Sequence, residues 1–144
     1  RHSLGFVFQS FMLMPLLSAF ENVELVLRIA GVGAFERKDR TIKALEMVGM
    51  SHRINHRPHE LSGGEKQRVA IARATVSDPY IIFADEPTAE LDSINAQAIF
   101  GVFKQLTIEK GMTVITTTHD ETLIDLASEV YELRDGVLHK TAAN

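Results

Sequence analysis

Residues 61–68 read Leu-Ser-Gly-Gly-Glu-Lys-Gln-Arg, and their local chemistry predicts the start of a helix. The hydroxyl of Ser62 can accept a hydrogen bond from the backbone N–H of Glu65, and the Glu65 carboxylate can accept one from the N–H of Ser62, which is the capping-box pattern. The glycine pair leaves the first turn bare, so its free N–H groups and the positive end of the helix dipole could bind a phosphate or another anion. A capped surface helix without a ligand fits the same eight residues, so neighbouring sequence must decide between the two.

Two apolar runs downstream each lead into polar residues. Residues 80–84 are apolar without alternation, which predicts a parallel strand covered on both faces, and Asp85 and Glu86 follow it. Residues 113–117 predict another strand, with His119 just beyond its end. A lone histidine is usually structural, but sheets of this class bind ligands at the carboxyl ends of their strands. These side chains are therefore candidates for a site.

The rest of the chain alternates between strand and helix patterns. Residues 1–8 predict a strand that ends at Gln9, which could be an ordinary polar residue at a strand end. The apolar loop 11–17 contains a proline and is either folded back on the core or part of an interface. Further predicted elements are helices at 19–30, 35–48, 66–76, 92–109 and 121–127 and a hairpin of 130–133 with 137–139. This order predicts an α/β fold with a mostly parallel sheet.

Composition narrows the function classes. A chain of 144 residues with 45% hydrophobic and 24% charged residues is expected to form one globular domain or part of one. Its net charge of −4 argues against a nucleic-acid-binding surface. No apolar run approaches the roughly 20 residues needed to cross a bilayer, so we expect no direct membrane insertion and any membrane association through a partner.

Three histidines, His52, His56 and His59, lie close together in the sequence. Pro58 breaks the helix that would align them, and no cysteine or carboxylate cluster completes a ligand set. A solvated basic loop is favoured over a zinc site.

Three motifs in this order resemble those of the ATP-binding cassette (ABC) ATPases: LSGGEKQR at 61–68 resembles the signature motif, IIFADEP at 81–87 the Walker B strand, and TTTHD at 116–120 the switch histidine. The resemblance covers nearly the whole chain. It implies a P-loop NTPase-like α/β fold, with a mostly parallel sheet and an α-helical subdomain. The implied parts are a helical subdomain at about 19–60, a signature helix at 62–76 and a Walker B to switch region at 80–120.

The resemblance also implies ATP and Mg²⁺ as cofactors and a set of catalytic and metal-binding residues. Asp85 would hold the Mg²⁺, usually through water. Glu86 would polarise the attacking water, and His119 would contact the γ-phosphate. Gln9 would lie in the Q-loop, which reaches the magnesium and the water.

Four further residues would bind nucleotide across a dimer. The resemblance implies that Ser62, Gly63 and Gly64 bind the γ-phosphate of a nucleotide held by the other subunit. Asp92 matches the D-loop, which crosses the dimer interface in this family.

The phosphate-binding pattern Gly-x-x-x-x-Gly-Lys-Ser/Thr occurs nowhere in the sequence. In the family this loop cradles the phosphates. We therefore expect the chain to be the C-terminal portion of a cassette with the N-terminal part missing, and we expect little or no ATP hydrolysis by a homodimer of it.

The function implied by the resemblance is that of an ATPase subunit powering a transporter. Such a subunit would lie on the cytoplasmic face of the cell membrane, in a homodimer or heterodimer of ATPase subunits, bound to an integral membrane permease. GFVFQSF at 5–11 and ENV at 21–23 resemble the lipoprotein-releasing, macrolide-exporting and cell-division cassettes, which favours export or an envelope-linked role. Two alternatives stay open: a non-transport ABC protein, and a non-catalytic module that docks on a permease or a partner cassette.

Overall fold

A computed structural model describes residues 4–120 and 124–141 of the chain. The strands are β1 (Leu4–Val7), β2 (Ile81–Asp85), β3 (Thr113–Thr117), β4 (Val130–Arg134) and β5 (Val137–Thr141). The helices are α1 (Ala19–Ile29), α2 (Ala34–Met47), α3 (Gly63–Thr75) and α4 (Ser93–Lys110), with short 3₁₀ turns at Ser51–Arg53 and Pro58–Glu60. The helix predicted at 121–127 begins outside the described residues.

The main sheet is parallel and has the order β1-β2-β3, so β2 lies in the centre. Residue 81 is paired with residue 4 on one side and residue 113 on the other. The carboxyl ends of all three strands therefore meet at one edge, as the sequence predicted. β4 and β5 form a separate antiparallel hairpin around Asp135-Gly136, both with positive φ (48° and 79°), as a tight hairpin turn requires.

Helix starts follow from local capping groups. Ser18 and Glu21 form a capping box at α1, and Ser62 and Glu65 form another at α3. The Asp92 side chain caps α4. Each cap satisfies backbone N–H groups that would otherwise lack a partner in the first turn, which is why the helices begin close to their predicted positions.

The core lies between the helices and one face of the sheet. α1 and α2 pack against each other and against α3, and α3 also packs on β1 and α4. Fully buried side chains from α1, α2, α3, β2 and α4 meet there: Leu27, Leu45, Ile71, Ile82 and Ile99. The helical subdomain predicted at about 19–60 stays a prediction, but α1 and α2 supply one wall of this core.

The expectation that β2 is covered on both faces is wrong for this structure. Ile82 and Ala84 are buried at 0% and 2% exposure, whereas Phe83, between them, is 36% exposed. On the same open face lie Phe6, stacked on Phe83 at 5.6 Å between ring centres, and Ile115. The reason is that the core helices pack on the other face, and no element among the described residues covers this one.

Among residues 4–120 and 124–141, no helix combines the length and the apolar character needed to span a membrane.

Candidate functional site

The ends of β2 and β3 carry a continuous hydrogen-bond network. The strand register pairs Asp85 with Thr117. The Thr117 hydroxyl donates to Asp85 Oδ1 at 2.7 Å and accepts from the backbone N–H of Glu86 at 3.0 Å. His119 Nδ1 lies 2.9 Å from Glu86 Oε1. The structure therefore brings together three of the residues that the sequence singled out.

Thr117 belongs to this network and was missed by sequence reasoning. It is the last residue of β3, one of three consecutive threonines, and only the register with β2 distinguishes it from Thr116 and Thr118. The predicted strands, 80–84 and 113–117, would have paired residue 117 with residue 84, whereas the structure pairs it with residue 85. No signal in the sequence therefore marked Thr117.

The ion pair of Glu86 and His119 has an electrostatic consequence. The Glu86 carboxylate raises the pKa of His119 above its ordinary value of 6.5, mainly through the hydrogen bond and then through charge attraction. His119 is 80% exposed and Glu86 28% exposed at the side chain, so solvent screens this attraction in part. Because the contact uses Nδ1, Nε2 is the ring nitrogen that could meet an incoming anion.

Gln9 lies two residues beyond the end of β1, which pairs with β2 at the same sheet edge. Within the described part of the chain, no hydrogen bond joins Gln9 to Asp85 or Glu86. The following loop is held from elsewhere. Arg73 of α3 donates to the carbonyl oxygens of Phe11 and Met12, two residues with positive φ (59° and 48°).

The residues at this edge suit a hard cation. Asp85 accepts one hydrogen bond from Thr117, and a carboxylate has about four lone-pair sites, so acceptor capacity remains. Mg²⁺ is usually bound through one or two carboxylates while it keeps several waters. Across the described ranges, no group of three or more histidine, aspartate or glutamate side chains is placed to hold a metal ion. Asp85 alone, with its free acceptor sites, fits a magnesium that keeps most of its water, and no described contact places the Gln9 amide beside it.

The capping box predicted at residue 62 is present. Ser62 Oγ accepts from the N–H of Glu65 at 3.2 Å, and Ser62 N donates to Glu65 Oε2 at 2.9 Å. This backbone hydrogen bond is the main cause that lowers the pKa of Glu65. Arg53 also lies 3.3 Å from the Glu65 carboxylate, which ties the start of α3 to the 3₁₀ turn Ser51–Arg53.

The expectation that the glycine pair leaves the backbone of the first turn uncovered is wrong for Gly64, which is buried. A Cβ on Gly64 would lie 2.5 Å from Oδ1 of Asn95, whereas a Cβ on Gly63 would make an ordinary 3.4 Å contact with Leu91. The first turn of α4 crosses the first turn of α3 at this point. Gly64 therefore permits a close approach between two helix starts.

Asp92 has a defined structural role. Its carboxylate accepts from the backbone N–H of Asn95 at 2.9 Å and from the Asn95 side chain at 2.8 Å. These hydrogen bonds, with the backbone one first, lower the pKa of Asp92. Asn95 was not singled out from the sequence, because its contact with Gly64 spans 31 residues and no local pattern marks it. The proposed contact of Asp92 with nucleotide stays a prediction.

The described part of the chain forms an α/β domain with a parallel sheet, and the carboxyl edge of that sheet carries an acidic pair and a histidine. Sheets of this class bind ligands at this edge. A family model described as ABC transporter matches residues 1–89. The chain belongs to this family.

Individual relatives agree with that assignment. The chain is 51% identical over 136 residues to an uncharacterized ABC transporter ATP-binding protein of Methanocaldococcus jannaschii, covering 94% of this chain and 60% of that protein. It is 46% identical to the lipoprotein-releasing system ATP-binding protein LolD of Saccharophagus degradans, covering 97% of this chain and 61% of that protein. It is 42% identical to the macrolide export ATP-binding/permease protein MacB of Syntrophobacter fumaroxidans, covering 96% of this chain and 20% of that protein. The predicted resemblance to lipoprotein-release and macrolide-export cassettes is confirmed.

Among solved structures, the chain is similar to the dimeric ATP-binding cassette MJ0796 in a post-hydrolysis state bound to ADP and phosphate. The TM-score is 0.85 at 40% sequence identity, covering 99% of this chain and 64% of that one. The predicted P-loop NTPase-like fold is thereby confirmed. The chain spans about 60% of the length of the curated ATP-binding proteins it matches.

Proposed function

We propose that the protein is the ATP-binding and ATP-hydrolysing subunit of an ABC transporter that works in export or in envelope-linked transport, such as lipoprotein release. The observation that carries the proposal is the network of Asp85, Thr117, Glu86 and His119 at one sheet edge. The names of the relatives LolD and MacB support the direction and kind of transport.

Hydrolysis of ATP requires a group that orients water and groups that meet the charge of the phosphates. In this proposal Glu86 orients the water, and His119, held by Glu86 through Nδ1, meets the γ-phosphate through Nε2. Asp85 and Gln9 would hold Mg²⁺, which when bound neutralises charge on the phosphate oxygens. Thr117 holds Asp85 and the Glu86 backbone in place.

The helix start at Ser62, Gly63 and Gly64 would bind the γ-phosphate of a nucleotide held by a partner ATPase subunit. Free N–H groups and the dipole at the start of a helix favour an anion at that position. The dimeric state of a similar cassette supports a dimer here as well. Asp92 would lie at the dimer interface, and an integral membrane permease would bind on the membrane side, with the subunit at the cytoplasmic face.

The test is magnesium-dependent ATP hydrolysis by the 144-residue chain and by a version extended upstream through its native coding sequence. We expect the extended protein to hydrolyse ATP and the chain alone to show little or no turnover. Replacing Glu86 by glutamine removes the group that orients water, so the rate of the extended protein should fall by roughly 100-fold or more.

The matched control is Glu109→Gln, on the exposed end of α4, which should leave the rate unchanged. Equal rates for Glu86→Gln and the unmodified protein would show that Glu86 is not the catalytic carboxylate. Turnover by the 144-residue chain alone would show that the phosphates are bound without the Gly-x-x-x-x-Gly-Lys-Ser/Thr loop.

A further inference from the structure

The side chain of Gln67 lies inside the protein, between α3 and the turn that follows β2. It is 0% exposed, and its Nε2 donates to the carbonyl oxygen of Pro87 at 2.6 Å. Gln67 belongs to the second turn of the helix that begins at Ser62, and Pro87 directly follows Glu86. One buried hydrogen bond therefore joins the proposed phosphate-binding helix to the turn that carries the proposed catalytic carboxylate.

That turn holds an unfavourable backbone conformation. Glu86 has φ of +44°, in the left-handed region that residues with a Cβ seldom occupy. Such a conformation persists only where the surrounding structure holds it.

Three contacts hold three successive peptide groups around Glu86. The Glu86 N–H donates to Thr117 Oγ1 at 3.0 Å. The Glu86 carbonyl accepts from the N–H of Ala89 at 3.2 Å, and the Pro87 carbonyl accepts from Gln67. The three partner residues are Thr117, Ala89 and Gln67, and of these only Gln67 lies in a helix of the core. Its hydrogen bond therefore fixes the position of the turn relative to α3.

The amide of Gln67 is not explained by core packing. Its Oε1 is buried and has no hydrogen-bond partner within the described residues. A buried acceptor without a partner is costly, and a methionine of similar length would fill the space without one. The hydrogen bond that Nε2 donates to Pro87 is therefore the reason why a polar side chain is needed at residue 67.

We propose that Gln67 is a positioning residue for ATP hydrolysis: it does not touch the nucleotide but fixes the turn that holds Glu86. The inference rests on the proposed role of Glu86. If the start of α3 binds a nucleotide of the partner subunit, the Gln67–Pro87 bond also links that site to the Glu86 of its own chain.

The experiment is a double-mutant cycle in the protein as its gene encodes it, with Gln67→Met, Glu86→Gln and the double variant. We expect Gln67→Met to lower kcat by roughly 10- to 100-fold, the effect of a small misplacement of a reacting group. The KM for ATP and the melting temperature should change little. In the Glu86→Gln background, Gln67→Met should cause no further loss of the residual rate.

Gln97→Met, on the exposed face of α4, is the matched control and should leave kcat unchanged.

Two results would overturn the proposal. One is an unchanged kcat for Gln67→Met; the other is an equal fold-loss in both backgrounds, which would mean that Gln67 acts on folding or on another step. If Gln67→Met does not fold, Gln67→Asn, which keeps the amide but is shorter by one methylene, goes through the same cycle with the same outcomes. A Glu86→Gln variant with full kcat would refute the proposed role of Glu86, and absence of hydrolysis by the unmodified extended protein would refute the proposed function, so these failures are distinguishable from that of the Gln67 proposal.

Discussion

Gly64→Ala should destabilise the protein, although alanine is the better helix former. In an exposed helix, replacing glycine by alanine stabilises by about 1 kcal/mol. Here the new methyl group would lie 2.5 Å from Oδ1 and 2.8 Å from Cγ of Asn95, too close for any real Cβ contact. Either Asn95 moves or the two helix starts move apart.

The size of the effect follows from the contacts. Overpacking of this kind costs about 1 to 3 kcal/mol. Moving the Asn95 side chain also breaks its 2.8 Å hydrogen bond to Asp92, worth about 1 kcal/mol. After subtracting the helix-propensity gain of about 1 kcal/mol, the free energy of unfolding should fall by about 2 kcal/mol.

The adjacent glycine is the matched control. A Cβ on Gly63 would meet Leu91 at an ordinary 3.4 Å, so Gly63→Ala should leave the stability unchanged or raise it by up to about 1 kcal/mol. Urea unfolding, followed by far-UV circular dichroism, measures both. In an Asn95→Ala background the contacts at 2.5 and 2.8 Å are removed and only the 3.3 Å contact with the Cβ of residue 95 is left. Gly64→Ala should there cost at least about 1 kcal/mol less than in the unmodified protein. Equal stabilities of the two glycine variants would refute the close packing of α3 on α4.

Two other predictions concern the loop before α1 and the site histidine. Asn22 is 1% exposed; its side chain accepts a hydrogen bond from the N–H of Met14 and donates to the carbonyl of Met14 and to two further carbonyls. Asn22→Ala should therefore lower the free energy of unfolding by about 3 kcal/mol. Urea unfolding measures this, with the exposed Asn55→Ala as the control. The pKa of His119 is raised in the folded state, so its contact with Glu86 should stabilise the protein fully below pH 6.5 and lose this effect as the pH rises through the raised pKa. An NMR titration should give a pKa above 6.5 that returns toward 6.5 in Glu86→Gln; the same value in both proteins would contradict the ion pair.

The secondary structure was largely predictable because its causes are local. The capping box at α3 joins residues three positions apart, so Ser62 and Glu65 could be read directly. β3 spans the predicted residues 113–117, and the hairpin turn lies at Asp135-Gly136. The edge at which Asp85, Glu86 and His119 meet also followed from the sequence, because parallel strands in one sheet end on the same side.

What sequence alone could not supply were contacts between residues far apart in the chain. An apolar run indicates that both faces of β2 are apolar, but it does not show which face the helices cover. In the structure the helices cover the face of Ile82 and Ala84, and Phe83 on the other face is exposed. The hydroxyl of Thr117, the amide of Gln67 and the side chain of Asn95 act across 20 or more residues, and no local spacing distinguishes them from their neighbours.

The family, the strand and helix order, the acidic pair and the histidine could be read from the sequence, because motifs and periodicity are properties of neighbouring residues. How the turn at Glu86 is held and why residue 64 is a glycine became visible only in the folded structure. Both depend on contacts that α3 makes with α4 and with the turn after β2, and these contacts form only once the chain has folded.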